Sequence, residues 1–223
     1  MGVTILVPYP LEKKTGPEVI EDLAKRLLAM QATPAGQFLV DGDIFDNPTM
    51  NKTKIHVMHN SEYPASVFSI LDNGQKQIPL ITDLIFDLLM LKVSPTYQSK
   101  KSLKIESKGP RYELGDFLIK LGSVTMSQNQ NFKGILIEVD YRPCLVPALC
   151  WDLMREFMQG FLGQHAPTTV PAYFTTNIPM NPVQHFQRYN DTYQPIDTVQ
   201  QYLEHFNNFR KQTQAPMMMT PRN

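Results

Sequence analysis

Three long runs of β-forming residues follow one another between Leu103 and Tyr141, and they constrain this chain more than any other stretch. The spacing predicts strands over Leu103–Leu114, Phe117–Met126 and Gly134–Tyr141. In the last, Ile135, Ile137, Val139 and Tyr141 alternate with Leu136, Glu138 and Asp140, the period of a strand with two different faces. In the middle run, Phe117, Ile119, Leu121 and Ser123 alternate with Leu118, Lys120, Gly122 and Val124 in the same way. Gly115-Asp116 and Gln128–Lys133 are turn-prone breaks between them. Strands joined by turns this short pair antiparallel, so a meander is expected. None of the three gathers an evident catalytic cluster on one face. The meander reads as scaffold.

Val3–Val7 is a short strand stopped by Pro8 and Pro10. A helix then opens at Thr15-Gly16-Pro17-Glu18, where Pro17 fits the first turn and Thr15 or Gly16 is the cap; with Thr15 as cap, Glu18 completes a capping box. Val19, Ile20, Leu23, Leu27 and Met30 give it an apolar face. Short strands are expected over Gln37–Val40, Lys54–Met58, Ser66–Leu71 and Gln77–Thr82, with Asp72-Asn73-Gly74 a hairpin turn between the last two. Asp41–Thr53 has the composition of an exposed loop. Leu84–Lys92 reads as a short helix, although its apolar density also suits a buried strand, and Ser94–Ser102 as a polar connector. After the meander, Ala148–Leu162 is a helix with Leu149, Leu153, Phe157 and Phe161 in one row, broadened by Trp151, Met154 and Met158. A last helix, Ile196–Gln212, carries Val199, Leu203, Phe206 and Phe209. The pattern is α+β. It predicts one domain over residues 1–212 and a disordered tail over 213–223.

Between the last two helices, residues 164–195 combine five prolines with Tyr173, Phe174, Phe186, Tyr189 and Tyr193. A flexible spacer would carry Ser, Gly and Glu there instead. The segment is expected to be an extended strap held by its aromatic side chains.

Charge narrows the classes of function. The 21 basic and 21 acidic residues leave no net charge, so neither a nucleic-acid partner nor a membrane surface is expected. Cys144 and Cys150, with no further cysteines, fit neither a disulfide framework nor a zinc quartet, and suit a reducing compartment. No secretory signal is evident, and no run approaches the ~20 apolar residues of a membrane span. A soluble, intracellular protein is expected.

The search for chemistry returns mostly absences. The chain has no Gly-rich phosphate loop, no His-Glu-x-x-His helix and no nucleophile elbow. His59-Asn60-Ser61-Glu62-Tyr63-Pro64 is the densest polar cluster, but Asn, Ser and Pro suit a turn between strands better than a catalytic set. His56 and His59 fall on opposite faces of their strand and cannot chelate one metal. Glu138 and Asp140 share a face, and inside a barrel such a pair could hold a divalent cation for phosphate hydrolysis. No second Glu-x-Glu pair supports that alternative. No catalytic, cofactor-binding or metal-ligating residue is assigned.

Several stretches carry a resemblance: Met1–Thr4, Val57–Pro64, Lys104-Ile105-Glu106, Arg111-Tyr112 leading into Asp116–Met126, Cys150-Trp151 and Phe161-Leu162-Gly163. In order and along nearly the whole chain, they resemble the Mediator complex subunit 20 family of animals. The match is weakest over Leu11–Thr53, Gln164–Pro195 and Met217–Met219. The resemblance implies an antiparallel β-barrel with helices packed outside, similar to Mediator subunit 18. It implies direct pairing with subunit 18 in the head module, with a C-terminal helix of Mediator subunit 8 tethering subunit 18. It further implies a non-enzymatic, nuclear role, relaying regulators to the RNA polymerase II machinery without a cofactor.

Overall fold

The computed structural model describes residues 2–49, 53–175 and 189–214. Its strands are β1 (Val3–Tyr9), β2 (Thr33–Asp46), β3 (Lys54–Asn60), β4 (Ser66–Asp72), β5 (Gln77–Asp83), β6 (Gln98–Ser99), β7 (Ile105–Leu114), β8 (Phe117–Met126) and β9 (Asn131–Tyr141). The helices are α1 (Gly16–Ala29), α2 (Ile85–Lys92), α3 (Pro147–Leu162), α4 (Ala172–Thr175) and α5 (Pro195–Gln214). Among the described residues all strands join one antiparallel sheet in the order β1-β9-β8-β7-β2-β3-β4-β5, with β6 added to β2. The expected meander is its centre. Its ends, β1 and β5, do not pair with each other, so the expected barrel is approximated by an open sheet.

Two apolar layers lie on opposite faces of that sheet. On one, Ile5, Ile119, Leu121, Ile135, Ile137 and Val139 meet Val19, Leu23 and Leu27 of α1 and Trp151, Met154 and Met158 of α3. On the other, Leu6, Leu136, Val124, Ile105, Val40, Met58 and Phe68 surround Val199, Tyr202, Leu203 and Phe206 of α5. Those sheet residues come from seven different strands, β1 through β4 along the pairing order. All seven strands share one continuous apolar cluster with α5, so the sheet curves around this helix, which occupies the place of a barrel's interior. Gly134 on β9 makes room for this helix, because a Cβ there would lie 2.7 Å from the Phe209 ring. A third, smaller cluster joins Met90 of α2 to Val57 and Val67.

Local chemistry explains most boundaries. Glu18 accepts a hydrogen bond from the Thr15 backbone N–H at 2.7 Å, closing the expected capping box at the start of α1. Gly74 turns the β4–β5 hairpin at φ 83°, which a side chain would oppose. α2 is a helix, as expected, and the Asp83 carboxylate accepts from the Ile85 N–H at 3.0 Å. No described helix is long and apolar enough to cross a membrane.

Several expectations need correction. β1 runs through Pro8 to Tyr9, because an edge strand can spare an N–H on its outer side. β2 continues through Asp41–Asp46, which the composition marked as loop. There Ile44 is buried, while Asp41 and Asp43 face Lys104 at 3.2 Å each. β9 starts at Asn131, so the turn before it is tighter than expected. In α3 the buried row is Cys150, Trp151, Met154, Met158, Phe161 and Leu162, whereas Leu149 is 80% exposed and Leu153 46%. Two adjacent apolar rows competed, and the row with the indole and two long thioethers fills the space above α1 and the sheet. α5 extends to Gln214, beyond the expected start of the tail. Residues 215–223 lie outside the described residues. So do 176–188 of the proposed strap, including Phe186; of its other aromatics, Tyr173, Phe174 and Tyr193 are buried and Tyr189 packs against the same core.

Candidate functional site

The sequence offered Glu138, Asp140 and the His59–Pro64 cluster as candidates. Their positions follow from register. Glu138 and Asp140 alternate with Ile137 and Val139 on β9 and therefore point to the face occupied by α5. Lys120 of β8 lies directly opposite Glu138, and Thr4 of β1 opposite Asp140. Lys120 Nζ is 2.8 Å from Glu138 Oε1, with 2% and 3% of the two side chains exposed. The second oxygen, Oε2, accepts a 2.6 Å hydrogen bond from the Tyr202 hydroxyl of α5. Burial first, and then the Glu138 carboxylate, hold that phenol's pKa well above its ordinary value, so it remains the donor.

Around this pair the remaining charges are ordered too. Glu62 reaches in from the β3–β4 turn to 3.6 Å from Lys120 Nζ, and Arg111 Nη1 donates to it at 2.7 Å. The ammonium also sits 5.6 Å from the centre of the Phe38 ring. Asp140 accepts from the Gly2 N–H at 3.2 Å. Burial, then the neighbouring Glu138 charge, push its pKa up to about 6. Asn60, Tyr63, Leu118, Arg142 and Thr198 complete the lining of a cavity of about 240 Å³. A larger cleft, of about 380 Å³, lies elsewhere, against Tyr9, Lys14 and His165.

What can this arrangement do? A divalent cation needs carboxylate oxygens that are free to ligate. Glu138 has given one oxygen to an ammonium and the other to a phenol. Asp140 has one oxygen, Oδ1, engaged by the Gly2 N–H. The described residues hold no group of three or more His, Cys, Asp or Glu side chains placed to share a metal. The geometry is that of an internal polar lock between sheet and α5.

The His59–Pro64 cluster is dispersed in the same structural manner. Asn60 Oδ1 accepts from the Glu62 N–H at 3.0 Å and Ser61 Oγ from the Leu39 N–H at 3.0 Å, which together shape the turn. His59 bridges two elements: its Nδ1 is 3.3 Å from Asp41 and its Nε2 3.1 Å from Asp87 of α2. The Asp41 hydrogen bond, outweighing partial burial and joined by Asp87, raises its pKa to about 9. His56, on the opposite face, is buried and held down to about 4 by that burial. Sequence reasoning offered Glu62 only as part of that turn and missed Lys120, Arg111 and Tyr202. The available signal was a lysine between Leu118 and Gly122 on a strand face otherwise apolar.

The fold and this site define a sheet-and-helix scaffold whose buried charges are committed to one another. A family model described as "TATA-binding related factor (TRF) of subunit 20 of Mediator complex" matches residues 1–207. Mediator of RNA polymerase II transcription subunit 20 from Anopheles gambiae is 61% identical over 223 residues, covering 99% of this chain and 100% of that relative. The chain belongs to the Mediator subunit 20 family. Two solved structures are more distant. The Schizosaccharomyces pombe Mediator head module is 12% identical at a TM-score of 0.31, over 61% of this chain and 79% of the compared one. An inorganic triphosphatase scores 0.31 at 12% identity, over 47% and 64%. Scores that low carry no functional reading.

Proposed function

We propose that this chain is a non-enzymatic subunit of the Mediator complex, placed in its head module and supporting regulated transcription by RNA polymerase II in the nucleus. The finer assignment is direct pairing with Mediator subunit 18, with the C-terminal helix of Mediator subunit 8 held through that subunit. The observation that carries the reading is the likeness, along nearly the whole chain, to a relative that bears the name of a Mediator subunit. The site supports its non-enzymatic part. A catalytic carboxylate must offer an oxygen to substrate, proton or metal, and both oxygens of Glu138 are bonded within the fold. Net neutrality supports a protein partner over nucleic acid.

Size-exclusion chromatography with light scattering tests the pairing. Mixed with purified subunit 18, the chain is expected to elute as a one-to-one heterodimer. Separate elution of the two chains would overturn the direct pairing.

A further inference from the structure

The two ends of the sheet are finished differently. At β1 the side chain of Gln201, on α5, acts as a substitute strand: its Oε1 accepts from the Leu6 N–H at 3.2 Å and its Nε2 donates to the Thr4 carbonyl at 2.9 Å. Pro8, next along the same side of the strand, has no N–H to offer. That edge is closed. At the other end β5 pairs with β4 on one side, and among the described residues no strand pairs with its other side. An open edge is a template for another strand, which proteins ordinarily blunt with charge. The strand Gln77–Asp83 carries Ile78, Leu80 and Ile81 instead, with Pro79 its one interruption and Asp83 at its far end.

The helix that follows repeats the anomaly. α2 uses Met90 to hold the sheet, yet turns Ile85, Leu88 and Leu91 outward. Its one carboxylate, Asp87, is bound to His59. Eight aliphatic side chains between Ile78 and Leu91 are 46–70% exposed. Ile78 and Leu80 share one face of β5 and Ile81 takes the other, so exposed aliphatic side chains flank the open edge on both sides, where a monomer's exposed apolar residues are usually scattered singly.

We infer that β5 and α2 form the docking surface, and that its occupant is an aliphatic edge strand of another antiparallel sheet, contributed by the partner subunit. The inference rests on the pairing proposed above and adds where that pairing takes place. A strand fits and a helix does not, because an open edge offers N–H and C=O groups that only an extended backbone can match. Pro79 removes one donor, so the new ladder runs on either side of it. Aliphatic side chains from the incoming strand then cover Leu80 and Leu88. Isolated, the same edge pairs with itself, and the chain self-associates.

The test uses the full chain and purified subunit 18, with wild type compared to a Leu80→Asp/Leu88→Asp variant. Both positions are half-exposed, and circular dichroism with a thermal melt confirms that the variant is folded. Titration calorimetry is expected to show binding weakened by at least about 30-fold. Hydrogen exchange of the wild-type complex is expected to slow across Ile78–Leu91. If wild type binds and the variant binds equally, with protection elsewhere, the docking surface is wrong and the pairing stands. If wild type does not bind subunit 18 at all, the pairing fails and this inference falls with it. A wild-type homodimer through the same face that persists in the presence of subunit 18 would also overturn the inference.

Discussion

Lys120 and Glu138 face each other across β8 and β9 with Nζ and Oε1 2.8 Å apart, sealed from solvent by α5. Tyr202 completes the group from the helix side at 2.6 Å. The group ties the meander to the C-terminal helix through residues 64 apart in sequence. An ion pair in such a place gains strength from low dielectric but carries the desolvation of both charges. Its net worth is therefore read from what happens when one member is removed.

Lys120→Met should destabilise the fold by about 3–5 kcal/mol, because Glu138 is left charged and buried beside a single phenol. Tyr202→Phe removes one hydrogen bond to a charged group and should cost about 1.5–3 kcal/mol. Replacing the lysine, the glutamate and the phenol together by apolar side chains should recover much of the loss. Guanidinium denaturation measures all three. A cost below about 1 kcal/mol for Lys120→Met would mean that the pair does not lock the helix.

Asp140 should behave as a liability at neutral pH. Its pKa is raised to about 6, above the 3.8 of a free aspartate. The folded state therefore holds the proton more tightly than the unfolded state, and the stability this confers is full below about 3.8 and lost as pH rises through about 6. Asp140→Asn should raise stability at pH 7 by about 1–2 kcal/mol and lose that advantage near pH 4. Melting curves of the two proteins across this range decide it. An asparagine variant less stable than wild type at pH 7 would contradict the assignment.

His59 shifts in the favourable sense for a cation. Its pKa is raised from 6.5 to about 9 by Asp41 and then Asp87. The stabilisation is full below about 6.5 and disappears as pH rises through about 9. Discounted for a ring that is one-third exposed, it amounts to roughly 1 kcal/mol. Titration of the imidazole by NMR should give a midpoint well above neutrality, lowered in Asp87→Asn. A midpoint near 6.5 would show that the histidine does not bridge β2 to α2.

Trp151→Ala should cost about 3–5 kcal/mol, whereas Leu149→Ala, one row away on α3, should stay within about 0.5 kcal/mol. Chemical denaturation compares them. Equal losses would mean that the helix docks on the other row.

Much of the fold was legible because its signals were local. The alternation in β8 and β9, the capping box at Thr15 and the Asn73-Gly74 turn each depend on neighbours in sequence. The Lys120–Glu138 pair depends on register, and a bulge hides it. At the turn end of the hairpin Thr125 pairs with Phe132, but Val124 pairs with Gly134, so the ladder slips by one residue. A register extended from the turn would set Lys120 opposite Ile137 and turn Glu138 to the wrong face. Asp41 and Asp43 misled for a related reason: Lys104, which precedes β7, stands 61 residues from Asp43, and His59 meets Asp41 only through the register of β3 on β2. The open edge at β5 was likewise invisible, because which strands end a sheet is a property of the whole topology.

Affinity purification of the tagged chain from nuclear extract, with quantitative mass spectrometry, tests membership in the complex most directly. The expected result is co-enrichment of Mediator subunits at near-equal stoichiometry, with subunits 18 and 8 among those retained after the most stringent wash. Recovery of the chain without any Mediator subunit would contradict the account.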